Sequence, residues 1–73
     1  MNSERLIDMA NQIGEFFQAY PDMDEAKLEI AKHLKKFWTR PMREQIVARA
    51  QEQGAGLAPM VSEAIREHRS LLA

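Results

Sequence analysis

The sequence predicts an all-α protein, a small compact bundle of four short helices. Apolar residues recur at three-to-four spacing in four segments, which is the period of an amphipathic helix. Prolines and glycines separate these segments, and none shows the sustained alternation that is typical of a strand. The links are short, so successive helices are expected to be neighbours in space. The 73 residues are expected to form a single domain, residues 1–73.

The first two helices are predicted over residues 4–20 and 25–38. Ser3 is expected to be the N-cap of the first helix, and Asp22 or Asp24 the N-cap of the second, because their side-chain oxygens accept hydrogen bonds from free backbone N–H groups. The apolar stripes comprise Leu6, Met9, Ala10, Ile13, Phe16, Phe17 and Tyr20 in the first helix, and Ala26, Ile30, Leu34 and Phe37, flanked by Ala31 and Trp38, in the second.

The third and fourth helices are predicted over residues 40–53 and 59–71. Thr39 can cap the third helix, and Gly54 can end it, since glycine readily adopts the left-handed conformation that follows many helices. Pro59 suits the first turn of the fourth helix. The stripes comprise Met42, Ile46, Val47 and Ala50 in the third helix, and Leu57, Met60, Val61, Ala64, Ile65, His68, Leu71 and Leu72 in the fourth.

Phe16 and Leu34 are expected to lie in the core. Truncating such residues to alanine typically costs about 2–5 kcal/mol. A chain of this length buries only about 60% of its unfolded surface, so either substitution is expected to unfold it. His68, in the middle of its stripe, is interpreted as structural, and His33 lies at the edge of its own stripe.

The composition argues against several classes of function. The chain has no cysteine, which excludes disulfides, thiolate-held iron–sulfur clusters and a cysteine nucleophile. Its two histidines are far apart in sequence, and no acid, base and nucleophile occur together. We therefore predict no catalytic, metal-binding or cofactor-binding residues. No apolar run approaches the roughly 20 residues of a membrane span, and an acid at position 4 argues against a signal peptide, so we expect a cytoplasmic protein.

Charge is distributed unevenly along the chain. Residues 1–31 carry a net charge of −5, residues 32–49 a net charge of +5, and the whole chain a net charge of −1. The near-neutral total argues against nucleic-acid binding, including a helix-turn-helix formed by the second and third helices. Residues 54–56 follow a helix and lack a lysine, so they do not form a phosphate-binding loop.

The corner between the second and third helices is the first candidate for a partner surface. Trp38, Arg40 and Arg43 meet there, and binding hot spots favour tryptophan and arginine. Arg43 falls inside the apolar sector of its helix, so it either pairs within the chain, for example with an acid of the first helix, or contacts a partner. A basic face lies beside this corner and is either solvated or a docking patch for an acidic partner surface. It comprises Lys32, Lys35 and Lys36.

A second candidate surface lies on the first helix. Ile7, Asn11 and Gly14 fall away from the apolar stripe. They form either a solvated face with one stray isoleucine or a partner surface on which Gly14 allows another chain to approach closely.

Three segments together resemble one protein family over about residues 5–65. They are Met9-Ala10-Asn11-Gln12-Ile13 with Phe16-Phe17; Ile30-Ala31, His33-Leu34, Phe37-Trp38 and Met42-Arg43; and Gly54, Gly56-Leu57, Pro59 and Val61. In order and spacing they resemble the delta subunit of soluble, NAD-dependent, molybdenum- or tungsten-containing formate dehydrogenases.

The resemblance implies a non-catalytic accessory role. In such complexes the large subunit oxidises formate at a bis-molybdopterin guanine dinucleotide, and other subunits pass electrons through iron–sulfur clusters and a flavin to NAD⁺. The resemblance implies that this chain assists assembly, cofactor insertion or stability by contacting the other subunits, the large catalytic subunit above all. The alternative is an independent, self-associating helical adaptor unrelated to formate, and a homodimer in isolation stays open.

Overall fold

The computed structural model describes residues 2–52 and 54–73, which fold into five helices with no strand among them. The helices are α1 (Ser3–Phe17), α2 (Met23–Phe37), α3 (Arg40–Ala50), α4 (Pro59–Glu67) and α5 (Arg69–Leu72). The all-α prediction is therefore confirmed, and the first three helices end within three residues of their predicted bounds. Gln53, predicted as the last residue of the third helix, lies outside the described residues.

The N-cap of α2 is one of the two residues predicted, and the N-cap of α1 lies one residue before the predicted position. Asn2, rather than Ser3, is the N-cap, and its side-chain oxygen accepts a hydrogen bond of 2.8 Å from the N–H of Glu4. Asp22 is the N-cap of α2, and it accepts from the N–H of Asp24 at 2.9 Å. Both side chains satisfy backbone donors that a helix leaves free at its start.

The predicted fourth helix is broken at His68. The N–H of His68 still donates to the carbonyl of Ala64, at 3.1 Å, but the residue has φ −111° and ψ 30°, which is not helical. Its carbonyl then accepts from the N–H groups of Leu71 and Leu72, so the chain restarts as α5. The break turns Leu72 into the core and leaves Leu71 partly exposed and His68 half-buried.

The core lies around α2, which packs against α1, α4 and α5. Seven side chains of the core are almost completely buried: Leu6, Ile30, Leu34, Ile46, Val61, Ile65 and Leu72. The prediction that Leu34 lies in the core is confirmed.

The predicted burial of Phe16 and Phe37 is wrong. Their side chains are 72% and 63% exposed. On α1 the buried face runs through Ala10, Gly14 and Phe17, so it is rotated away from Phe16. A hydrophobic stripe gives little weight to alanine and none to glycine, although small residues are what allow two helices to approach closely.

One charged side chain is buried where α2 meets α4. Lys27 is 8% exposed, and its Nζ lies 2.9 Å from Glu63 Oε1 and 3.0 Å from Glu67 Oε2. Hydrogen bonds to Glu63 and Glu67 raise the pKa of Lys27, and the hydrogen bond from Lys27 lowers the pKa of Glu63. Because a buried ammonium is tolerated only when it is paired, this contact fixes how the two helices lie against each other.

The exposure of Phe16 leads to a test of the core. Leu34→Ala should lower the free energy of unfolding by about 2–5 kcal/mol, because it leaves a cavity in a fully buried site. Phe16→Ala should lower it by less than about 1 kcal/mol, since only a surface ring contact is lost. Urea denaturation of the two variants beside the unchanged chain measures both values. Equal losses would show that Phe16 is a core residue after all.

The Lys27–Glu63 contact predicts how stability depends on pH. Glu63 has its pKa lowered by folding from an ordinary value of 4.5, so its contribution is present above that value and is lost as the pH falls through the folded pKa. Lys27 has its pKa raised from 10.5, so its contribution is present below that value and is lost as the pH rises through the folded pKa.

We therefore expect the stability difference between the unchanged chain and Glu63→Gln to be largest near neutral pH and to shrink in acid below the ordinary carboxyl pKa. Urea titrations at a series of pH values measure this difference. Glu15→Gln is the matched control, because Glu15 forms no ion pair with any described residue. A difference that is the same at all pH values would show that the Lys27 contact does not stabilise the fold.

Candidate functional site

An apolar groove lies between α1 and α2 and has a volume of about 450 Å³. We call it the aromatic groove. Phe16 forms part of its lining, and Phe37 stands beside it, in ring contact with the lining residue His33. The lining comprises Met9, Gln12, Ile13, Phe16, Phe17, His33 and Trp38. Phe16 and Phe37 are the two most exposed large apolar side chains among the described residues, and both stand at this groove.

A row of rings positions the two exposed phenylalanines. The ring of Phe16 stands perpendicular to that of Phe17, with centroids 5.0 Å apart, and Phe17 lies 6.2 Å from His33. His33 in turn lies 4.7 Å from Phe37. Edge-to-face contacts of this kind are favourable, and Phe17 is itself buried. Phe16 is therefore supported by Phe17 and Phe37 by His33, although both phenylalanines face solvent.

One lysine side chain stands beside the groove on the α2 side. Lys36 Nζ lies 5.4 Å from the centre of the Phe37 ring, in the position of a cation–π contact. No described carboxylate lies within 4.0 Å of Lys36. Lys32, one turn earlier, pairs with Glu29 at 3.7 Å on the surface, which is a weak and well-solvated contact. Lys35 donates instead to the backbone oxygen of Ala73, at 3.2 Å.

Trp38, a candidate partner residue of the helix corner, is buried in the inner lining of the groove and is only 5% exposed. Its backbone is extended at the end of α2, with φ −95° and ψ 142°. Its N–H still bonds to the carbonyl of Leu34 at 2.9 Å. This geometry ends the helix and turns the indole inwards, while the preceding Phe37 stays outside.

Arg43 makes its contacts within the chain. Its Nη1 donates to the carbonyls of Trp38 at 2.7 Å and Lys35 at 3.5 Å, and its Nε donates to the carbonyl of Leu72 at 3.1 Å. These carbonyls stand at the C-terminal ends of α2 and α5, where a cation is favoured. In the structure the half-buried Arg43 pairs with these backbone carbonyls and not with an acid of α1. Arg40 stays exposed, 3.4 Å from Glu44.

The Ile7, Asn11 and Gly14 side of α1 also faces the chain itself. Ile7 is buried, and a Cβ on Gly14 would clash with the Val61 side chain of α4. Asn11 donates to the carbonyl of Gly56 at 2.9 Å and accepts from the N–H of Ala58 at 2.8 Å. The expected solvated or partner-facing position of Ile7 and Gly14 is therefore wrong, and the close approach that Gly14 allows is made by α4.

The apolar stripes do not predict the aromatic groove, although another signal in the sequence indicates it. Phe16 and Phe17 are adjacent, and so are Phe37 and Trp38. Neighbouring residues on a helix point about 100° apart, so only one aromatic of each pair can be centred on a narrow buried face. Two adjacent pairs therefore predict two exposed rings, but not which member of each pair is exposed.

No group of three or more acidic, histidine or cysteine side chains in residues 2–52 and 54–73 is arranged to hold a metal ion. Over the same residues, no helix has both the length and the apolar character needed to span a bilayer.

Comparison with known protein families gives a match over most of the chain. Residues 5–65 match the family model described as "NADH-dependant formate dehydrogenase delta subunit FdsD". The match covers most of the chain and confirms the resemblance drawn from the three sequence segments. Neither a curated protein nor a solved structure matches the chain.

The contacts of Arg43 predict a structural role for this side chain. Arg43→Ala should lower the free energy of unfolding by about 1–3 kcal/mol, because charge-assisted hydrogen bonds at two helix ends are lost. Arg40→Ala, the matched control at the same corner, should change it by less than about 0.5 kcal/mol, since it removes only an exposed pair. Urea denaturation measures both. If Arg43→Ala had the same free energy of unfolding as Arg40→Ala, the hydrogen bonds of Arg43 would not stabilise the fold, and partner contact would be the better explanation of this residue.

Proposed function

We propose that this chain, which belongs to the family of NADH-dependent formate dehydrogenase delta subunits, is a non-catalytic accessory subunit of such an enzyme in the cytoplasm. It acts by contact with the other subunits, above all the large catalytic subunit. The observation that carries the proposal is the family match over residues 5–65. The contact serves assembly of the complex, insertion of its cofactor or stability of the finished enzyme.

The aromatic groove supports a role in protein contact. Phe16 and Phe37 are large, exposed and held in place by the ring row beneath them. Contiguous apolar surface of this kind marks interaction sites on small soluble domains. Aromatic residues are also enriched at the centres of protein interfaces, where their burial contributes most of the binding energy.

Contact alone is sufficient for the proposed role. A partner that binds only the correctly folded or assembled state stabilises that state by mass action, by about 2.7 kcal/mol when its concentration is 100 times the dissociation constant. The chain has no cysteine and so cannot provide thiolate ligands to an iron–sulfur cluster. The redox steps are therefore assigned to other subunits, and the purified chain alone is expected not to oxidise formate.

A self-associating adaptor unrelated to formate is the second candidate, because the exposed rings of the aromatic groove could also meet those of another copy. The two candidates differ in what the chain binds in cells and in its own oligomeric state.

Affinity purification of the tagged chain from its native cells tests the proposal. We expect formate dehydrogenase subunits to co-purify in a fixed ratio, identified by mass spectrometry. In cells that lack the chain, the remaining complex should show less NAD⁺-dependent formate oxidation or a lower melting temperature. A chain that purifies without these subunits, and that forms a dimer by light scattering, would contradict the proposal and favour the adaptor.

Adding the purified chain back to that complex separates the possible roles. Recovery of activity and melting temperature within minutes would indicate that the chain stabilises a finished enzyme. Failure to recover, when co-expression does restore activity, would indicate a role during assembly or cofactor insertion.

A further inference from the structure

We propose that the aromatic groove receives an amphipathic helix of another subunit, and that acidic residues of this helix lie on the side of the groove where Lys36 contacts Phe37. The inference rests on the proposed accessory function and adds the surface and the kind of segment that it binds.

The polarity of the groove favours a helix over an extended segment. Most of its lining is apolar, and Gln12 and His33 are the lining side chains on its rim that can form hydrogen bonds. An extended segment would bury backbone N–H and C=O groups there without partners, which costs free energy. A helix satisfies its own backbone groups. Strand addition needs a sheet edge, and residues 2–52 and 54–73 contain no strand.

The length of the groove sets the spacing of the bound side chains. Its α1 wall runs from Met9 to Phe16, which is about two helical turns or about 10 Å. A helix of similar length presents apolar side chains at positions i, i+3 or i+4, and i+7 along one face. Such a face would pack over the groove between Phe16 on one side and Phe37 on the other.

Charge favours a bound helix whose acidic residues face the α2 side of the groove. Lys36 lies over the Phe37 ring and has no carboxylate partner within 4.0 Å among the described residues. The opposite edge carries the neutral Gln12. An acidic partner side chain on the α2 edge would therefore complement the groove and speed association at low salt.

A second copy of this chain fits the groove less well. In a symmetric dimer through this face it would present the same concave surface, whereas a groove is filled by a ridge such as one face of a helix.

Photo-crosslinking identifies the occupant. In one variant benzoylphenylalanine replaces Phe37, and in a control variant it replaces Met23. Each variant is mixed with the formate dehydrogenase complex purified from cells that lack this chain. Met23 is also exposed and apolar, but it lies at the other end of α2, about 21 Å away along the helix axis. We expect position 37 to crosslink to a helical segment of a partner subunit that carries acidic residues. The inference would be overturned if position 37 crosslinked to a second copy or to a non-helical segment. It would also be overturned if position 23 crosslinked to the complex and position 37 did not.

Binding measurements test the groove separately from the proposed function. The double variant Phe16→Ser with Phe37→Ser should bind the same complex at least about tenfold more weakly, as expected for interface hot spots, and circular dichroism should show it folded. Met23→Ser should bind within about twofold of the unchanged chain. An unchanged chain that does not bind the complex would refute the proposed function. An unchanged chain and a double variant that bind equally well would refute only the groove.

Charge reversal tests the orientation. Lys36→Glu should weaken binding several-fold at low salt and by less at high salt, because the contact lies at the rim of the groove. Arg69→Glu is the matched control, since it makes the same charge change at an exposed residue of α5, away from the groove, and should have little effect. Equal effects of the two substitutions would show that only the net charge of the chain affects binding. That result would overturn the proposal that acidic residues of the bound helix face Lys36.

Discussion

The arrangement of the bundle depends on α2, which charged side chains hold at both ends. Near its start, Lys27 is buried between two carboxylates of α4, at 2.9 and 3.0 Å. At its end, Arg43 of α3 donates to the carbonyls of Lys35 and Trp38 and also to Leu72 of α5. A small domain has little apolar surface to bury, so such directed contacts matter for a single packing arrangement. Because Arg43 fixes the end of α2, it also fixes the turn that places Trp38 inside and Phe37 outside.

The aromatic groove follows from this arrangement. The fold buries one aromatic of each adjacent pair, Phe17 and Trp38, and leaves the others exposed. The ring of Phe17 contacts that of the exposed Phe16, and His33 contacts that of the exposed Phe37, so both exposed rings rest against residues of the fold. Binding to a surface that is already ordered costs less conformational entropy than binding to a flexible one. The same residues thus complete the core and prepare the surface that we propose as the docking site.

The sequence predicted the helices well because period and punctuation are local signals. It could not predict which face of each helix is buried. Gly14 has no side chain to contribute to a hydrophobic stripe, yet it marks where α4 approaches α1, so the buried face was placed too close to Phe16. The sequence does not predict the break at His68 either, because Leu71 and Leu72 keep the helical spacing whether or not the helix is interrupted. The position of Arg43 in an apolar sector indicates that this arginine needs a partner. Its carbonyl partners cannot be predicted, because they belong to α2 and α5, which only the fold brings together.

If a partner helix binds in the aromatic groove, the groove becomes covered when the chain joins its complex. Hydroxyl-radical footprinting read by mass spectrometry measures this directly, by comparing side-chain oxidation in the free chain with that in the assembled enzyme. We expect Phe16 and Phe37 to be oxidised in the free chain and protected in the complex, while Met23 stays reactive in both. Equal oxidation of Phe16 and Phe37 in both states, with protection elsewhere on the chain, would contradict docking through the groove.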